Sequence, residues 1–254
     1  MKKLNKFKII RFAAFIVFFI AFGIWGYTEL IYLDADVTYK DLQNRVVSVA
    51  EVQPESGSEA TAETGVSDEP MLEIDHEHLL DENHDYVCWL SACENQISYP
   101  VVQGRTNEEY LHRTFFADKS FVGSIFLDYR CSSDMSDFHT ILYGHSMKDR
   151  TMFRLIADYT NADFARQYPY FYIYTPGGRQ KYEIFSVCRI NDTELLTALD
   201  EPTEEEREAF ISAIMQNSLY TLSAQPTVDD NIVSLITCDV RDDSKRVVVN
   251  GIKK

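Results

Sequence analysis

The stretch "NIVSLITCDVRDDSKRVVVNGI", residues 231–252, contains two apolar, β-branched runs that predict two strands joined by the polar loop "DVRDDS". The first run ends at Cys238 and the second begins at Arg246, with seven residues between them. A hairpin of that length brings the two positions to the same end of a sheet, within a few ångströms if they are directly paired. A guanidinium there favours a thiolate, or the oxyanion that forms when a thiolate attacks a carbonyl.

A histidine suited to proton transfer follows a different predicted strand. In "ILYGHSMKDRTMF", residues 141–153, Gly144 permits a tight turn that exposes the ring of His145. A cysteine nucleophile needs such a partner close in space rather than in sequence. Spacing alone leaves a thiol enzyme as one option among several, because a lone strand-end cysteine is more often structural and a lone histidine is usually a surface residue.

Short strands dominate the rest of the chain, with fewer helices between them. Predicted strands include "DYVCWLSA" (85–92), "FVGSIFLDYR" (121–130), "FHTILYGH" (138–145) and the hairpin "YFYIYTPGGRQKYEIFSVCRI" (170–190). Predicted helices are "YKDLQNRVVSV" (39–49), "TNEEYLHRTF" (106–115), "DRTMFRLIADY" (149–159) and "TEEEREAFISAIMQ" (203–216). The second and fourth begin with capping boxes, Thr106 with Glu109 and Thr203 with Glu206. This pattern predicts a β-rich α+β domain.

The N-terminal region predicts a membrane anchor. Residues 9–33 form an apolar run long enough to span a bilayer. Residues 1–8 form a basic cytoplasmic tail, which places everything after residue 33 outside the cell. A cleaved signal peptide is the alternative. Before Glu29 the charged residues are all basic: Lys2, Lys3, Lys6, Lys8 and Arg11.

Composition divides the remainder into a linker, residues 34–70, and a globular domain, residues 71–254. The segment 51–70 has almost no large apolar side chain and predicts a flexible stalk. Without its five basic N-terminal residues the net charge of −16 becomes −21 (−16 minus +5). This strongly negative charge argues against nucleic-acid binding by the rest of the chain.

Three histidines raise the question of a metal site. His76, His78 and His84 lie among acidic residues in "EIDHEHLLDENHD". Histidines on a polar segment next to a linker are usually solvated, and no cysteine completes a zinc pattern there. The sequence therefore predicts no metal.

The segment "SLITCDVRDDSKRVVVNG", residues 234–251, resembles the signature of sortases, membrane-anchored cysteine transpeptidases with a T-L-x-T-C motif and an Arg on the following strand. The segments "ISYPVVQGRTNEEYLHRTF" (97–115), "GSIFLDYR" (123–130), "ILYGHSMKDRTMFRLI" (141–156) and "YPYFYIYT" (168–175) follow the class B pattern in the same order. The resemblance covers residues 86–252 and implies a closed sortase-type β-barrel with peripheral helices, preceded by an N-terminal transmembrane helix.

The resemblance also implies residue roles. Cys238 is the nucleophile, His145 the general acid and base, and Arg246 the group that holds the oxyanion and the substrate. Arg241 is the rival arginine, but it lies inside the loop. Substrate contacts are expected from Tyr143 and from Ser234, which stands in place of the motif's first Thr. Ile236 stands where many class B members have Ser, so any substrate contact made by that hydroxyl is absent.

Two further expectations concern the thiols. The carboxylate of Asp239 would raise the thiol pKa of Cys238, so Arg246 has to outweigh it. Five cysteines are an odd number, and Cys238 is expected to be the free one, because a disulfide would consume its thiolate. The others are explained as small buried thiols, with a disulfide between two of them as an alternative: Cys88, Cys93, Cys131 and Cys188.

The implied reaction needs no cofactor. The thiolate attacks a backbone carbonyl in an N-P-x-T-x sorting signal on a secreted protein, and an amine of a peptidoglycan precursor resolves the thioacyl intermediate. The enzyme would be a single-pass cell-membrane protein with an extracellular catalytic domain. One alternative is a pilin-polymerising sortase, whose acceptor is a Lys of another subunit. Another is a catalytically inactive, membrane-anchored binding module, and a thiol-redox protein is disfavoured because no C-x-x-C is present.

Overall fold

A computed structural model describes residues 6–49, 71–191, 201–240 and 242–254, without the side chains of residues 6–9, 27–35 and 243. Its helices are α1 (Lys6–Val46), α2 (His76–Glu82), α3 (Ala162–Gln167), α4 (Glu204–Gln216) and a 3-10 helix, Phe153–Thr160. Its strands are β1 (Val47–Val49), β2 (Leu72–Ile74), β3 (Tyr86–Ala92), β4 (Ile97–Val102), β5 (Ile125–Leu127), β6 (His139–Tyr143), β7 (Tyr170–Thr175), β8 (Gly178–Ile190), β9 (Ile232–Asp239) and β10 (Asp242–Lys253).

Eight of these strands close into a barrel in the order β10-β8-β7-β3-β4-β5-β6-β9, and β9 pairs with β10 to complete it. The pairs β4–β5 and β6–β9 are parallel, and the other barrel pairs are antiparallel. Closure leaves no unpaired edge. The predicted closed β-barrel is therefore confirmed.

Strand β9 shows how the barrel positions a site. Every residue from Ile232 to Thr237 is buried, and Cys238 is the only residue of the strand that is partly exposed. Large side chains such as Trp89 and Phe185 are fully buried in the core, while the 3-10 helix packs against β9 and β10. Strands buried on both faces have continuous apolar runs, as "IVSLI" does. Cys238 therefore lies where this buried stretch ends.

Helix α4 follows the sequence prediction closely. Thr203 Oγ1 accepts a hydrogen bond from the Glu206 backbone N–H, and the Glu206 carboxylate accepts one from the Thr203 N–H at 2.8 Å. This is the predicted capping box. The segment 149–159 forms the 3-10 helix rather than an α-helix.

The predicted helix over residues 106–115 was wrong, because this segment forms turns. Glu109 accepts a hydrogen bond from the Arg105 N–H at 2.9 Å, so the local capping contact is partly retained. The carbonyls further along are taken by distant groups: Tyr110 O by Ser124 N at 3.1 Å, and His112 O by Ser120 N at 3.0 Å. Tertiary pairing has replaced the helical ladder, overriding local propensity.

The C-terminal part of α1 packs on the barrel. Tyr39, Leu42 and Val46 are buried in the core, and β1 pairs with β2. The short helix predicted over residues 39–49 is thus the end of α1, followed by a strand. Residues 34–49, assigned to the linker from sequence, therefore include core positions, while the stalk predicted over residues 51–70 lies outside the described residues.

Among the residues whose side chains are described, no helix is long and apolar enough to cross a membrane. The transmembrane helix predicted over residues 9–33 is therefore not confirmed. Its residues 27–33 are among those whose side chains are outside the described ones.

Candidate active site

Cys238 and Arg246 lie directly opposite each other across the β9–β10 pair. Directly opposed residues of antiparallel strands have Cα atoms about 4.5–5.5 Å apart and side chains on the same face. Both side chains are partly exposed, unlike the buried strand residues that precede Cys238 and follow Arg246. The hairpin predicted from the sequence therefore brings the thiol and the guanidinium together.

His145 reaches the same place from β6. Strands β6 and β9 run parallel with Tyr143 opposite Ile236, and the Gly144 N–H donates to Ile236 O at 3.1 Å. The pairing thus continues one residue past the end of β6, and the charge of Arg246 acts on His145, so the imidazole comes to the end of the sheet that carries Cys238 and Arg246. A Cβ at Gly144 would come within 2.5 Å of a neighbouring side-chain atom, so glycine permits this close approach.

Cys238 and Arg246 share one face of β9 and β10, since directly paired positions point the same way, and His145 follows the end of β6, the other neighbour of β9. Asp239 points to the opposite face and is buried, and Arg189 Nε donates to its carboxylate. The negative charge is therefore neutralised on the far side of the sheet. The expected competition between Asp239 and Arg246 at the thiol does not arise in this geometry.

The environment of His145 fixes its tautomer. Its Nε2 lies 2.8 Å from the carbonyl oxygen of Leu111. A carbonyl only accepts, so Nε2 carries the proton and donates it, which leaves Nδ1 as the basic nitrogen of the neutral ring. Burial lowers the pKa of His145. The hydrogen bond to the Leu111 carbonyl raises this pKa, whereas the nearby charges of His112 and Arg246 lower it, and the net shift is downward. His145 is therefore mostly neutral at pH 7.

The guanidinium of Arg246 is held by its own strand and faces the site. Its Nη1 donates to Lys245 O at 3.1 Å, and its charge is close enough to act on His145. The rival Arg241 lies outside the described residues. Arg246 is thus the arginine that the described structure brings to the thiol and the imidazole.

None of the five cysteines forms a disulfide, and Cys238 is the only one that is not buried. None of the other four forms the disulfide that the sequence left open. Burial raises the pKa of the Cys131 thiol to about 12 and raises the pKa of Cys88 and of Cys188 above its ordinary value. These thiols stay protonated at neutral pH, so the accessible sulfur is that of Cys238.

Ser234 is not at the site. It is fully buried, and its Oγ lies 2.8 Å from His139 Nε2 and donates to Asn250 Oδ1 at 2.6 Å. It precedes Cys238 by four strand residues, which corresponds to about 13 Å. Its hydroxyl serves a buried hydrogen-bond chain under helix α4, since the His139 ring lies 4.4 Å from the ring of Phe210 in that helix.

Tyr143 lies nearer, two residues before His145, but its hydroxyl is engaged. It donates to Asp128 Oδ2 at 3.1 Å, and its ring stacks on Phe126 with centroids 5.3 Å apart. Asp128 is buried and also receives two hydrogen bonds from the guanidinium of Arg130. Tyr143 therefore joins the end of β6 to β5 and to Asp128, the residue that follows β5.

Two residues of the site could not be found from the sequence. The Leu111 carbonyl orients His145, and Gly123 allows that contact: its φ is +66°, and a Cβ there would lie 2.5 Å from Leu111 O and 3.0 Å from His145 Cδ2. A backbone carbonyl on a turn carries no side-chain signal. Glycine in "VGSIF" was the only available indication.

A family model described as the sortase domain matches residues 90–253. Sortase B of Listeria monocytogenes is 33% identical over 171 residues, covering 66% of this chain and 70% of that protein. The structure of Clostridium perfringens sortase B superposes with a TM-score of 0.67 at 32% identity, covering 71% of this chain and all of that one. A Staphylococcus aureus sortase B–substrate complex gives 0.65 at 29% identity, covering 70% and 83%.

Proposed function

The chain belongs to the sortase family of cysteine transpeptidases, and we propose that it cleaves a sorting signal on secreted proteins and transfers them to a cell-wall amine. One observation supports the assignment of roles: Cys238, the only cysteine that is not buried, pairs directly with Arg246, whose charge also acts on His145. A nucleophile, a proton carrier and an oxyanion donor within reach of one carbonyl make up the machinery of acyl transfer.

In the first half-reaction the thiolate of Cys238 attacks a backbone carbonyl carbon of the sorting signal. The negative charge that develops on the carbonyl oxygen is stabilised by the guanidinium of Arg246. Collapse of this intermediate breaks the C–N bond while protonated His145 gives a proton to the leaving amine. The products are a thioester on Cys238 and the released C-terminal peptide.

In the second half-reaction an incoming amine attacks the thioester. Neutral His145 takes a proton from that amine, the C–S bond breaks, and Cys238 is regenerated as a thiolate. One peptide bond has been exchanged for another without oxidation or reduction, so these steps require no cofactor.

We propose an N-P-x-T-x sorting signal as substrate and a peptidoglycan-precursor amine as acceptor. Support comes from the likeness to sortase B proteins, one of which was solved as a substrate complex. Ile236 lies in the strand just before Cys238 and has no hydroxyl. Any contact of the Ile236 side chain with the signal is therefore apolar.

The test is to incubate the full-length protein in detergent with an N-P-x-T-x peptide and map the acyl adduct by mass spectrometry. We expect cleavage and a thioester on Cys238, with both lost to background in Cys238→Ala. Cys131→Ala is the matched control, because this thiol is buried and should leave adduct formation intact. An adduct on another cysteine would refute the assignment, and no adduct at all would favour an inactive binding module. Release of the thioester by a pilin Lys peptide, and not by a peptidoglycan amine, would identify a pilin polymerase.

We also propose that residues 9–33 anchor the catalytic domain to the outer face of the cell membrane. Support comes from the basic N-terminal flank and from large apolar side chains of α1 that are exposed, such as Phe12 at 68% and Ile24 at 63%. The full-length protein is expected to sediment with membranes and to keep its first residues. N-terminal sequencing that starts after Gly23 would show a cleaved signal instead.

A further inference from the structure

The end of helix α1 is hydrogen-bonded to the loop of residues 110–124, which connects β4 to β5. Tyr39 is buried, and its hydroxyl accepts from Phe115 N at 3.1 Å. Its single proton faces Gly123 O and Ser124 Oγ, each 3.1 Å away. The proton of Ser124 is used elsewhere, since Ser124 Oγ donates to Arg113 O at 2.7 Å. One phenol thus binds both arms of the 110–124 loop.

The same loop holds His145 on its other side. Leu111 O accepts the Nε2 proton of His145, and Gly123 closes against both of them. The ring of His112 stacks on that of His145, with centroids 5.8 Å apart and planes at 17°. The Ser120 N–H donates to His112 O and fixes the turn of the loop. The residues that contact His145 and those that Tyr39 binds therefore belong to the same loop, and Gly123 is one of both sets.

Tyr39 also reaches the chain after His145. Its ring packs edge-on against Tyr99, with centroids 5.5 Å apart. The hydroxyl of Tyr99 accepts from Met152 N at 3.2 Å, and Phe153 N, the next along the chain, donates to His145 O at 2.9 Å. The end of α1 is thus linked, through Tyr99, to the segment that bonds the His145 backbone.

We propose that Tyr39 is a positioning residue for His145: its hydroxyl fixes the 110–124 loop so that the Leu111 carbonyl holds the imidazole as the Nε2–H tautomer. The role rests on the proposed acyl transfer for its effect on rate, but the tautomer itself is independent of that function. Burial raises the pKa of Tyr39 to about 12, so the hydroxyl keeps its proton across the working pH range. The helix that precedes the barrel is then part of the catalytic apparatus.

The test compares Tyr39→Phe with Tyr182→Phe in the full-length protein in detergent. Tyr182 is also buried, and its hydroxyl makes one hydrogen bond, to Gln180 at 2.9 Å, near the opposite end of β10 from Arg246. We expect Tyr39→Phe to lower kcat about tenfold with KM little changed, because the peptide site is intact while the proton carrier is misplaced. The Tyr182→Phe variant should keep wild-type kcat.

The second readout is the imidazole spectrum of His145, assigned by comparison with a His145→Gln variant. Wild type should show the Nε2–H pattern in long-range ¹H–¹⁵N correlations, and Tyr39→Phe should show both tautomers. Ser124→Ala removes the loop side of the Tyr39–Ser124 contact and should reproduce these changes. The Tyr39→Phe/Ser124→Ala double variant should show a loss of kcat and a tautomer mixture close to those of either single variant.

An unchanged His145 pattern in both Tyr39→Phe and Ser124→Ala would overturn the proposal. An equal loss of kcat in Tyr39→Phe and Tyr182→Phe would also overturn it, because loss of any buried tyrosine hydroxyl would then explain the effect through lower stability. If wild type cleaves no peptide, the proposed function fails, yet the tautomer comparison still decides the role of Tyr39.

Discussion

At the scale of single residues, the protonation of His145 depends on its immediate neighbours. Burial and the charges of His112 and Arg246 lower its pKa, so its neutral form predominates near pH 7. That form suits the base that deprotonates an incoming amine. The acid that protonates the leaving amine is the protonated ring, which is the minor form at this pH.

Replacing His112 with Gln should raise the pKa of His145, because a neighbouring positive charge is removed. The folded protein disfavours protonated His145, so this residue contributes stability above its unfolded pKa of about 6.5 that is lost as the pH falls through its folded pKa. In His112→Gln that acid loss should be smaller. NMR titration of His145 and urea unfolding at neutral and acid pH measure the two effects.

The matched control is His84→Gln, which changes an exposed histidine in the turn before β3. It should leave the titration of His145 as in wild type. A midpoint for His145 that moves to lower pH in His112→Gln, or does not move, would contradict the expected sign.

Alternation along β9 separates two neighbours that the sequence placed in competition. Cys238 faces the site, and Asp239, one residue on, is paired with Arg189 on the other face. Ser234, four residues before Cys238, lies on the same face of β9, but its hydroxyl is buried and meets His139 and Asn250. A residue in a catalytic motif can thus serve the fold, and only its burial and its partners reveal which role it has.

At the scale of elements, the 110–124 loop is where local sequence signals and the fold disagree. The capping box just before it, Thr106 with Glu109, predicts a helix, but the carbonyls that a helix would use accept hydrogen bonds from residues 120 and 124 and from His145. These partners lie at the far end of the loop and after β6, so only the fold brings them to these carbonyls. This disagreement between the local helix signal and the observed turns indicates that the conformation of the loop is needed for the site rather than for the loop's own stability.

Substituting Gly123 with Ala tests this loop. Its φ of +66° and a Cβ only 2.5 Å from Leu111 O force the backbone away from His145. We expect a loss of about 1–2 kcal/mol in the free energy of unfolding from the left-handed backbone alone. Turnover should fall further than that stability loss explains, because the Leu111–His145 hydrogen bond breaks. Peptide-cleavage kinetics and chemical denaturation measure the two quantities.

Gly177→Ala is the control, since a Cβ there meets only Thr175 Oγ1 at 3.5 Å, an ordinary contact. It should preserve both stability and turnover. If Gly123→Ala kept full turnover, the close approach of the loop to His145 would have no catalytic importance.

At the scale of the whole molecule, the parts that could be predicted are those with local signals. The β9–β10 hairpin and the helix capped by Thr203 depend on residues close in sequence, and both were predicted. Strand β4 was missed because Pro100 in its middle has no N–H for the ladder, which argues against an interior strand. The pairing of Cys238 with Arg246 followed from the hairpin alone.

The approach of His145 to Cys238 had no such local signal. It depends on the parallel β6–β9 pair, where Thr237 Oγ1 donates to the carbonyl of Gly144, 93 residues earlier, at 2.8 Å. Only the family resemblance placed these two residues together. Neither local sequence signals nor the family resemblance predicted Tyr39 or Leu111, because Tyr39 acts through a loop and Leu111 acts through its backbone carbonyl.

The position of β9 between β6 and β10 also determines when the molecule becomes reactive. Strands β9 and β10 follow every other barrel strand in the chain, and parallel pairing across so long a separation forms slowly, since loop closure must come first. Until β9 inserts beside β6, Cys238 and its hairpin partner Arg246 remain apart from the imidazole of His145. A chain that is still being synthesised therefore lacks the proposed proton-transfer partner of Cys238. Folding itself performs the activation that many proteases assign to the removal of a propeptide.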